Sequence, residues 1–122
     1  MVLVDTSVWI RFLSGRDPYA SILDGLLERG SVVAHDLVEG ELLIGDRGGR
    51  KALLPSYRVL ARARSLTHGE IVEFVQARKL HGRGIGWIDA SLLASALVDR
   101  VSLLTADERL ASIASELRVA YA

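Results

Sequence analysis

Cysteine is absent from this 122-residue chain, and long runs of apolar residues are absent as well. The lack of cysteine excludes disulfide bonds, thiolate zinc sites and a cysteine nucleophile, and a reducing compartment would tolerate it. No apolar run approaches the roughly 20 residues that span a membrane. The charge of Asp5 interrupts the first apolar segment too early for a signal peptide. We therefore expect a soluble protein in the cytoplasm with no membrane partner.

An excess of charge of one sign is also lacking. The sequence has 15 basic and 15 acidic residues, which gives a formal net charge of zero. A protein that coats nucleic acid is usually basic, so the overall charge does not favour a nucleic-acid partner. The length fits a single domain that covers residues 1–122 and can bury a core of its own.

What the sequence does contain is an alternation of short apolar segments with amphipathic ones. The short segments are apolar at consecutive positions, as strands covered on both faces must be. Such alternation predicts the α/β class, with a mostly parallel central sheet and helices on both of its faces. The predicted strands are residues 2–4, 31–35, 101–105 and 118–121. The predicted helices are residues 7–13, 18–29, 36–44, 50–62, 70–80, 90–98 and 108–116, with residues 57–63 as an alternative short strand and a capping box at Thr67 and Glu70.

Four acidic residues stand at one predicted edge of this sheet. Asp5 follows the first strand and Asp107 follows the third, so both lie at carboxyl ends of parallel strands, where open α/β sheets bind ligands. Helices between parallel strands run in the opposite direction, so their N-termini meet the same edge. Asp89 opens the sixth predicted helix there, and Glu41 lies about one and a half turns into the third.

Glu41 gives the strongest reason to expect a functional site. At about 100° per residue, it lies in the middle of an apolar stripe that includes Leu37, Val38 and Ile44, whereas Glu39 points to solvent. A carboxylate on a buried face is costly unless a positive charge neutralises it. No Lys or Arg lies within one turn of Glu41 on this helix, so a bound cation would supply the missing charge.

Each acidic residue taken singly also has a structural explanation. Asp5, Asp89 and Asp107 stand where an aspartate commonly caps the first turn of a helix. A misplaced helix boundary would explain Glu41. The convergence of all four residues on one edge nevertheless favours a functional site.

The chemistry of four convergent carboxylates favours Mg²⁺ or Mn²⁺, which prefer oxygen ligands. A divalent ion would relieve the repulsion between the carboxylates, activate a water molecule and hold a phosphoryl oxygen. The natural reaction is hydrolysis of a phosphodiester bond that leaves a 5′-phosphate and a 3′-hydroxyl. A metal-free ribonuclease would commonly use paired histidines. His35, His68 and His81 form no obvious pair at this edge, and we expect His35 to pack in the core or cap a helix.

At this point four segments resemble the PIN-domain family, and in order and spacing the match covers essentially the whole chain. The segments are residues 2–10 with Asp5, residues 38–45 with Glu41, residues 89–94 with Asp89, and residues 103–107 with Asp107. The resemblance implies a PIN-like three-layer α/β/α sandwich with a short, mostly parallel sheet. It also implies that these four acidic residues surround Mg²⁺ or Mn²⁺, and that Thr105 and Ser7 orient metal-bound water.

Short single-domain members of this family are mostly VapC-like toxins of type II toxin–antitoxin systems. The resemblance therefore implies an endoribonuclease that cuts structured RNA such as tRNA or rRNA, inhibited by a cognate VapB-like antitoxin. It further implies a homodimer or a toxin–antitoxin hetero-oligomer. Two basic segments, residues 47–51 and 79–83, could meet RNA phosphates or be solvated loop charges. The apolar stripes of the first two helices, with Trp9 and Leu23, could bind an antitoxin helix or belong to the core.

Other classes of protein fit the sequence less well. A receiver-like signalling module needs an acidic pair after the first strand and a late lysine, but Asp5 has no acidic neighbour and no lysine follows Lys79. A housekeeping PIN nuclease without an antitoxin is an alternative within the family. A non-catalytic PIN-like binding module is another, and the presence of all four acidic residues argues against it.

Overall fold

The centre of the computed structural model, which describes residues 1–122, is a parallel sheet of three short strands. The strands are β1 (Val2–Val4), β2 (Val32–Val33) and β3 (Ser102–Leu104). Their order is β2-β1-β3, and β1 pairs in parallel with both neighbours. The central strand therefore ends at Asp5, in the middle of the carboxyl edge of the sheet.

Helices cover both faces of this sheet. Successive residues of a strand point to opposite faces, and all three residues of β1 are buried. The chain thus has the three-layer α/β/α architecture and the parallel sheet that the sequence predicts. The helices are α1 (Thr6–Leu13), α2 (Tyr19–Glu28), α3 (Asp36–Ile44), α4 (Leu53–Arg58), α5 (His68–Ala77), α6 (Trp87–Asp99) and α7 (Glu108–Glu116). None of them combines the length and the apolar character that crossing a bilayer requires.

Several helices begin at local capping signals. α3 and α7 have the predicted bounds, and the predicted capping box at Thr67 and Glu70 is present with both of its hydrogen bonds. α6 begins at Trp87, three residues earlier than predicted, and it ends where Arg100 adopts a left-handed φ of 55°. Such a backbone conformation interrupts the helical hydrogen bonds.

Two predictions at the margins of the sheet are wrong or only partly right. Residues 118–121 form no strand, because Arg118 has a φ of 61° and only Ala120 makes a bridge, to Leu103. The fourth helix is shorter than predicted, since α4 ends at Arg58. After it the chain is extended for one bridge, between Arg62 and Ala34, which partly satisfies the alternative strand predicted there.

The core lies between the sheet and its surrounding helices. α6 contributes seven consecutive buried residues, from 90 to 96, so this helix is packed on more than one side. Trp9 of α1 is buried with its ring edge-on to Tyr57, and Leu23 and Leu26 of α2 are buried as well. These apolar residues of the first two helices are therefore core residues and are covered by the protein's own chain.

Candidate active site

Asp5 is a buried carboxylate that two hydroxyl groups hold from different parts of the chain. Its exposed fraction is 6%. Oδ2 accepts a hydrogen bond from Ser7 Oγ at 2.8 Å and from Thr105 Oγ1 at 2.7 Å. Asp5 occupies the N-cap position of α1, but its side chain makes no capping hydrogen bond. The capping explanation of Asp5 is therefore wrong, and its side chain belongs to a network at the carboxyl edge.

The two hydroxyl groups are themselves fixed by backbone amides. Ser7 Oγ accepts from the Ala106 amide and Thr105 Oγ1 accepts from the Asp107 amide, each at 3.1 Å. A hydroxyl group has one hydrogen to donate, and both groups donate it to Asp5. In this structure Ser7 and Thr105 thus orient the carboxylate of Asp5 and join the start of α1 to the loop after β3.

Glu41 reaches the same edge from α3. Its Oε1 accepts a hydrogen bond from Thr6 Oγ1 at 2.6 Å, and its side chain is half-buried. Thr6 is the neighbour of Asp5, so this bond brings the α3 carboxylate beside the end of β1. The predicted apolar stripe is only partly right: Val38 is buried, but Ile44, the last residue of α3, is 88% exposed. The last turn of α3 is therefore divided: Leu42 is buried in the core, whereas Leu43 and Ile44 face outward.

Asp89 has an environment that opposes ionisation of its carboxyl group. It is the third residue of α6, and its Oδ2 accepts from the Gly86 amide at 3.2 Å. Burial raises the pKa of this carboxyl group, and the negative charges of Asp5, Asp107 and Glu41 raise the pKa further, while the Gly86 amide lowers it. The electrostatic effect of the other three carboxylates on Asp89 indicates that all four share one region of the molecule.

Asp107 combines a structural role with its place at this edge. Its Oδ1 accepts from the Leu110 amide at 3.0 Å and so caps the N-terminus of α7. The side chain is exposed, and its own amide donates to Thr105 in the network around Asp5. The capping role that the sequence offered as an alternative is therefore real for Asp107, alongside its position near the other acids.

None of the four carboxylates has a cationic partner. The ion pairs of the protein join Arg58 and Arg62 to Glu39, Arg62 to Asp36, Arg64 to Asp99, and Arg83 to Glu116. No three of the four carboxylates lie close enough together to form a complete set of metal ligands. The structure thus brings them to one edge of the sheet and leaves their negative charge uncompensated.

His35 lies near this edge as a structural residue, as the sequence predicts. It is 1% exposed, its Nδ1 accepts from the Leu37 amide at 3.0 Å, and its Nε2 lies 2.9 Å from Ser95 Oγ. Burial lowers the pKa of this imidazole, so the neutral ring caps α3 and joins it to α6. His35 therefore helps to set the position of the helix that carries Glu41.

The residues that sequence reasoning missed are Thr6, Arg11 and Arg109. Thr6 directly follows Asp5, and its hydroxyl group next to a predicted site carboxylate could have indicated a role at this edge. Arg11 lies one helical turn after Ser7, where its Nη1 donates to the Ser7 carbonyl at 3.0 Å. Of the basic segments singled out instead, Arg83 pairs with Glu116, and Arg50 donates to the Leu42 carbonyl at 2.8 Å.

A short parallel sheet with acidic residues converging on its carboxyl edge defines the class of this protein. The family model for the PIN domain matches residues 2–116. The chain therefore belongs to the PIN-domain family, as its four acidic motifs predict.

Two comparisons place the chain within that family. Ribonuclease VapC32 of Mycobacterium tuberculosis, in strains CDC 1551 / Oshkosh and H37Rv, is 42% identical over 123 residues, covering 100% of this chain and 97% of the relative. The chain is thus a VapC-like PIN protein. The crystal structure of PAE2754 from Pyrobaculum aerophilum has a TM-score of 0.59 and 17% identity, covering 91% of this chain and 82% of that one. At this identity the likeness concerns the fold.

Proposed function

We propose that this protein is a Mg²⁺- or Mn²⁺-dependent endoribonuclease and the toxin of a VapBC-type toxin–antitoxin system. In this proposal residues 1–122 form one PIN domain that acts in the cytoplasm on structured RNA such as tRNA or rRNA. The observation that carries the proposal is the set of four carboxylates at one sheet edge with no cationic partner. The full-length similarity to a protein named as a ribonuclease supports it.

The residues present fit a divalent cation. Each carboxylate uses a single oxygen in the protein's hydrogen bonds: Oδ2 in Asp5 and Asp89, Oε1 in Glu41, and Oδ1 in Asp107. The remaining oxygens are available as ligands, and an all-oxygen set is what Mg²⁺ and Mn²⁺ prefer. A cation would also remove the repulsion that raises the pKa of Asp89.

The chain's own groups prepare this site for phosphodiester hydrolysis. When bound, the divalent ion would stabilise the negative charge of the reacting phosphoryl group and favour deprotonation of the attacking water. Ser7 and Thr105 fix one oxygen of Asp5, and Thr6 fixes one oxygen of Glu41, so these carboxylates do not need to reorganise. Water attacks phosphorus, the bond between phosphorus and the 3′ oxygen breaks, and that oxygen takes up a proton. The products are a 5′-phosphate and a 3′-hydroxyl.

The antitoxin part of the proposal is supported by the name of the relative and by exposed apolar residues. Ile10 and Leu13 of α1 line an open cavity of about 680 Å³ with the loop after α3, next to the exposed Ile44. An antitoxin helix would cover such residues. The toxin would act as a homodimer or within a toxin–antitoxin hetero-oligomer.

Cleavage of bulk tRNA and rRNA by the purified protein tests the proposal. We expect EDTA to stop cleavage and Mg²⁺ or Mn²⁺ to restore it. We expect Asp5→Asn to lower the cleavage rate by about 100-fold or more, since the electrostatic stabilisation that a metal site supplies amounts to several kcal/mol. Asp24→Asn, the same chemical change at an exposed residue of α2, should cleave like the wild type. Cleavage that persists in EDTA, or full activity of Asp5→Asn, would contradict the proposed mechanism.

A further inference from the structure

A polar cleft of about 460 Å³ opens beside the acidic site and carries two arginines. Ser7 and Asp107 of the acidic edge line it, together with Arg11, Arg109 and the acidic Glu108. Arg11 comes from α1 and Arg109 from the first turn of α7, 98 positions later in the chain. The cleft therefore places positive charge next to a site that is otherwise negative.

Arg11 is held at this cleft by two contacts that leave its charge unpaired. Its Nη1 donates to the Ser7 carbonyl at 3.0 Å, and its guanidinium carbon lies 5.8 Å from the centre of the Tyr19 ring. A guanidinium has five N–H donors, so most of them are not used by this carbonyl. Arg11 forms no ion pair, unlike Arg58, Arg62, Arg64 and Arg83.

The side chain of Arg109 packs against Gly84. A Cβ built on Gly84 would lie 2.9 Å from Arg109 Cδ and also 2.9 Å from Nη1, closer than such atoms can approach. Gly84 also has a φ of 82°, which favours glycine. The loop before α6 can therefore pack against the Arg109 side chain, and the exposed Arg109 forms no ion pair either.

We infer that this cleft binds a phosphodiester group of the RNA substrate through Arg11 and Arg109, an inference that rests on the proposed function. Without a bound metal ion the four carboxylates repel a polyanion, and a net charge of zero gives RNA no general attraction. Positively charged side chains beside the site would then supply the attraction for RNA. The planar guanidinium fork suits phosphate oxygens, and these two forks form no ion pair beside the acidic site.

Binding of bulk tRNA in an Asp5→Asn background, in which the RNA stays intact, tests the inference. We expect Arg11→Gln and Arg109→Gln each to weaken the affinity by about tenfold, as expected for loss of a charge-assisted hydrogen bond. The slope of log affinity against log salt should become shallower by about 0.7–0.9 for each arginine removed. Arg11→Lys and Arg109→Lys should keep the slope and lose part of the affinity, which a misfolded variant would not do.

Arg29→Gln is the matched control, since Arg29 is exposed after α2, at the opposite edge of the sheet. It should retain the affinity of the Asp5→Asn parent. The double variant combines Arg11→Gln and Arg109→Gln. If the wild type cuts no RNA but the double variant still binds tRNA more weakly and with a shallower salt dependence, the nuclease proposal fails and the cleft stands as an RNA site. If the wild type cuts RNA and the double variant binds tRNA like its parent, the inference about the cleft is overturned. An acidic protein segment as the true ligand would give that second result.

Discussion

The carboxyl group of Asp89 is the point where the fold works against ionisation. Burial is the largest cause of its raised pKa, and the charges of Asp5, Asp107 and Glu41 act in the same direction. Because the folded-state pKa lies above the ordinary value of 3.8, the protonated form favours folding. The stability from this group is present below pH 3.8 and is lost as the pH rises through the raised pKa. Above its raised pKa, the ionised Asp89 therefore destabilises the metal-free protein.

We expect Asp89→Asn to raise the melting temperature of the metal-free protein at neutral pH and to abolish RNA cleavage. The Asn oxygen can still accept from the Gly86 amide, while the opposed charge is gone. Thermal unfolding in EDTA at several pH values measures the effect, and the gain over the wild type should shrink as the pH falls. Asp24→Asn serves as the control. A loss of stability at neutral pH in Asp89→Asn would refute this account of Asp89.

At the scale of elements, the N-cap residue of α7 has two roles, one for its side chain and one for its backbone amide. Asp107 caps the helix through Oδ1, and its amide anchors Thr105, which in turn holds Asp5. Helix capping and site geometry are therefore coupled at this turn. Asn caps a helix about as well as Asp, so the two roles can be separated by substitution.

Asp107→Asn should leave the free energy of unfolding nearly unchanged and lower the cleavage rate by about tenfold or more, since the proposed metal site would lose one charged ligand. Asp107→Ala should lose the activity and also about 1 kcal/mol of stability, because the Leu110 amide loses its acceptor. Urea denaturation and cleavage rates of the same preparations measure both effects. Full activity in Asp107→Asn would leave Asp107 with the capping role alone.

At the scale of the whole molecule, the surface has apolar residues that the fold itself does not cover. Ile44 at the end of α3 and Val59 after α4 are almost fully exposed. Ile10 and Leu13 of α1 are partly exposed. Large apolar side chains in water are unfavourable unless a partner covers them. These residues lie away from the buried faces of α1 and α2, which belong to the core.

Expression of the protein alone in a bacterial host should arrest growth, since uncontrolled cleavage of structured RNA stops translation. Co-expression of the antitoxin proposed above should relieve the arrest, and Asp5→Asn should be harmless without an antitoxin. Growth curves with matched protein levels measure this. Normal growth with an enzyme that is active when purified would favour a housekeeping PIN nuclease.

The sequence by itself determined the features that depend on neighbouring residues. The bounds of α3 and α7 and the capping box of α5 follow from local hydrogen bonds, since the capping residues are adjacent to the turns they cap. Asp5 and Asp107 could be placed at the same edge of the sheet because the parallel direction of the strands follows from the alternation of elements. The acidic motifs and their place at one edge of the sheet can therefore be predicted from the sequence.

Only the tertiary structure decided which groups meet across long stretches of chain. The bond from Thr6 to Glu41 spans 35 positions, and the bond from Thr105 to Asp5 spans 100. Arg11 and Arg109 likewise line one cleft from distant parts of the chain. The single bridge at Ala120 also depends on tertiary packing. Periodicity fixes the face of one element but not the neighbour that covers it, because that neighbour is selected by packing of the whole core.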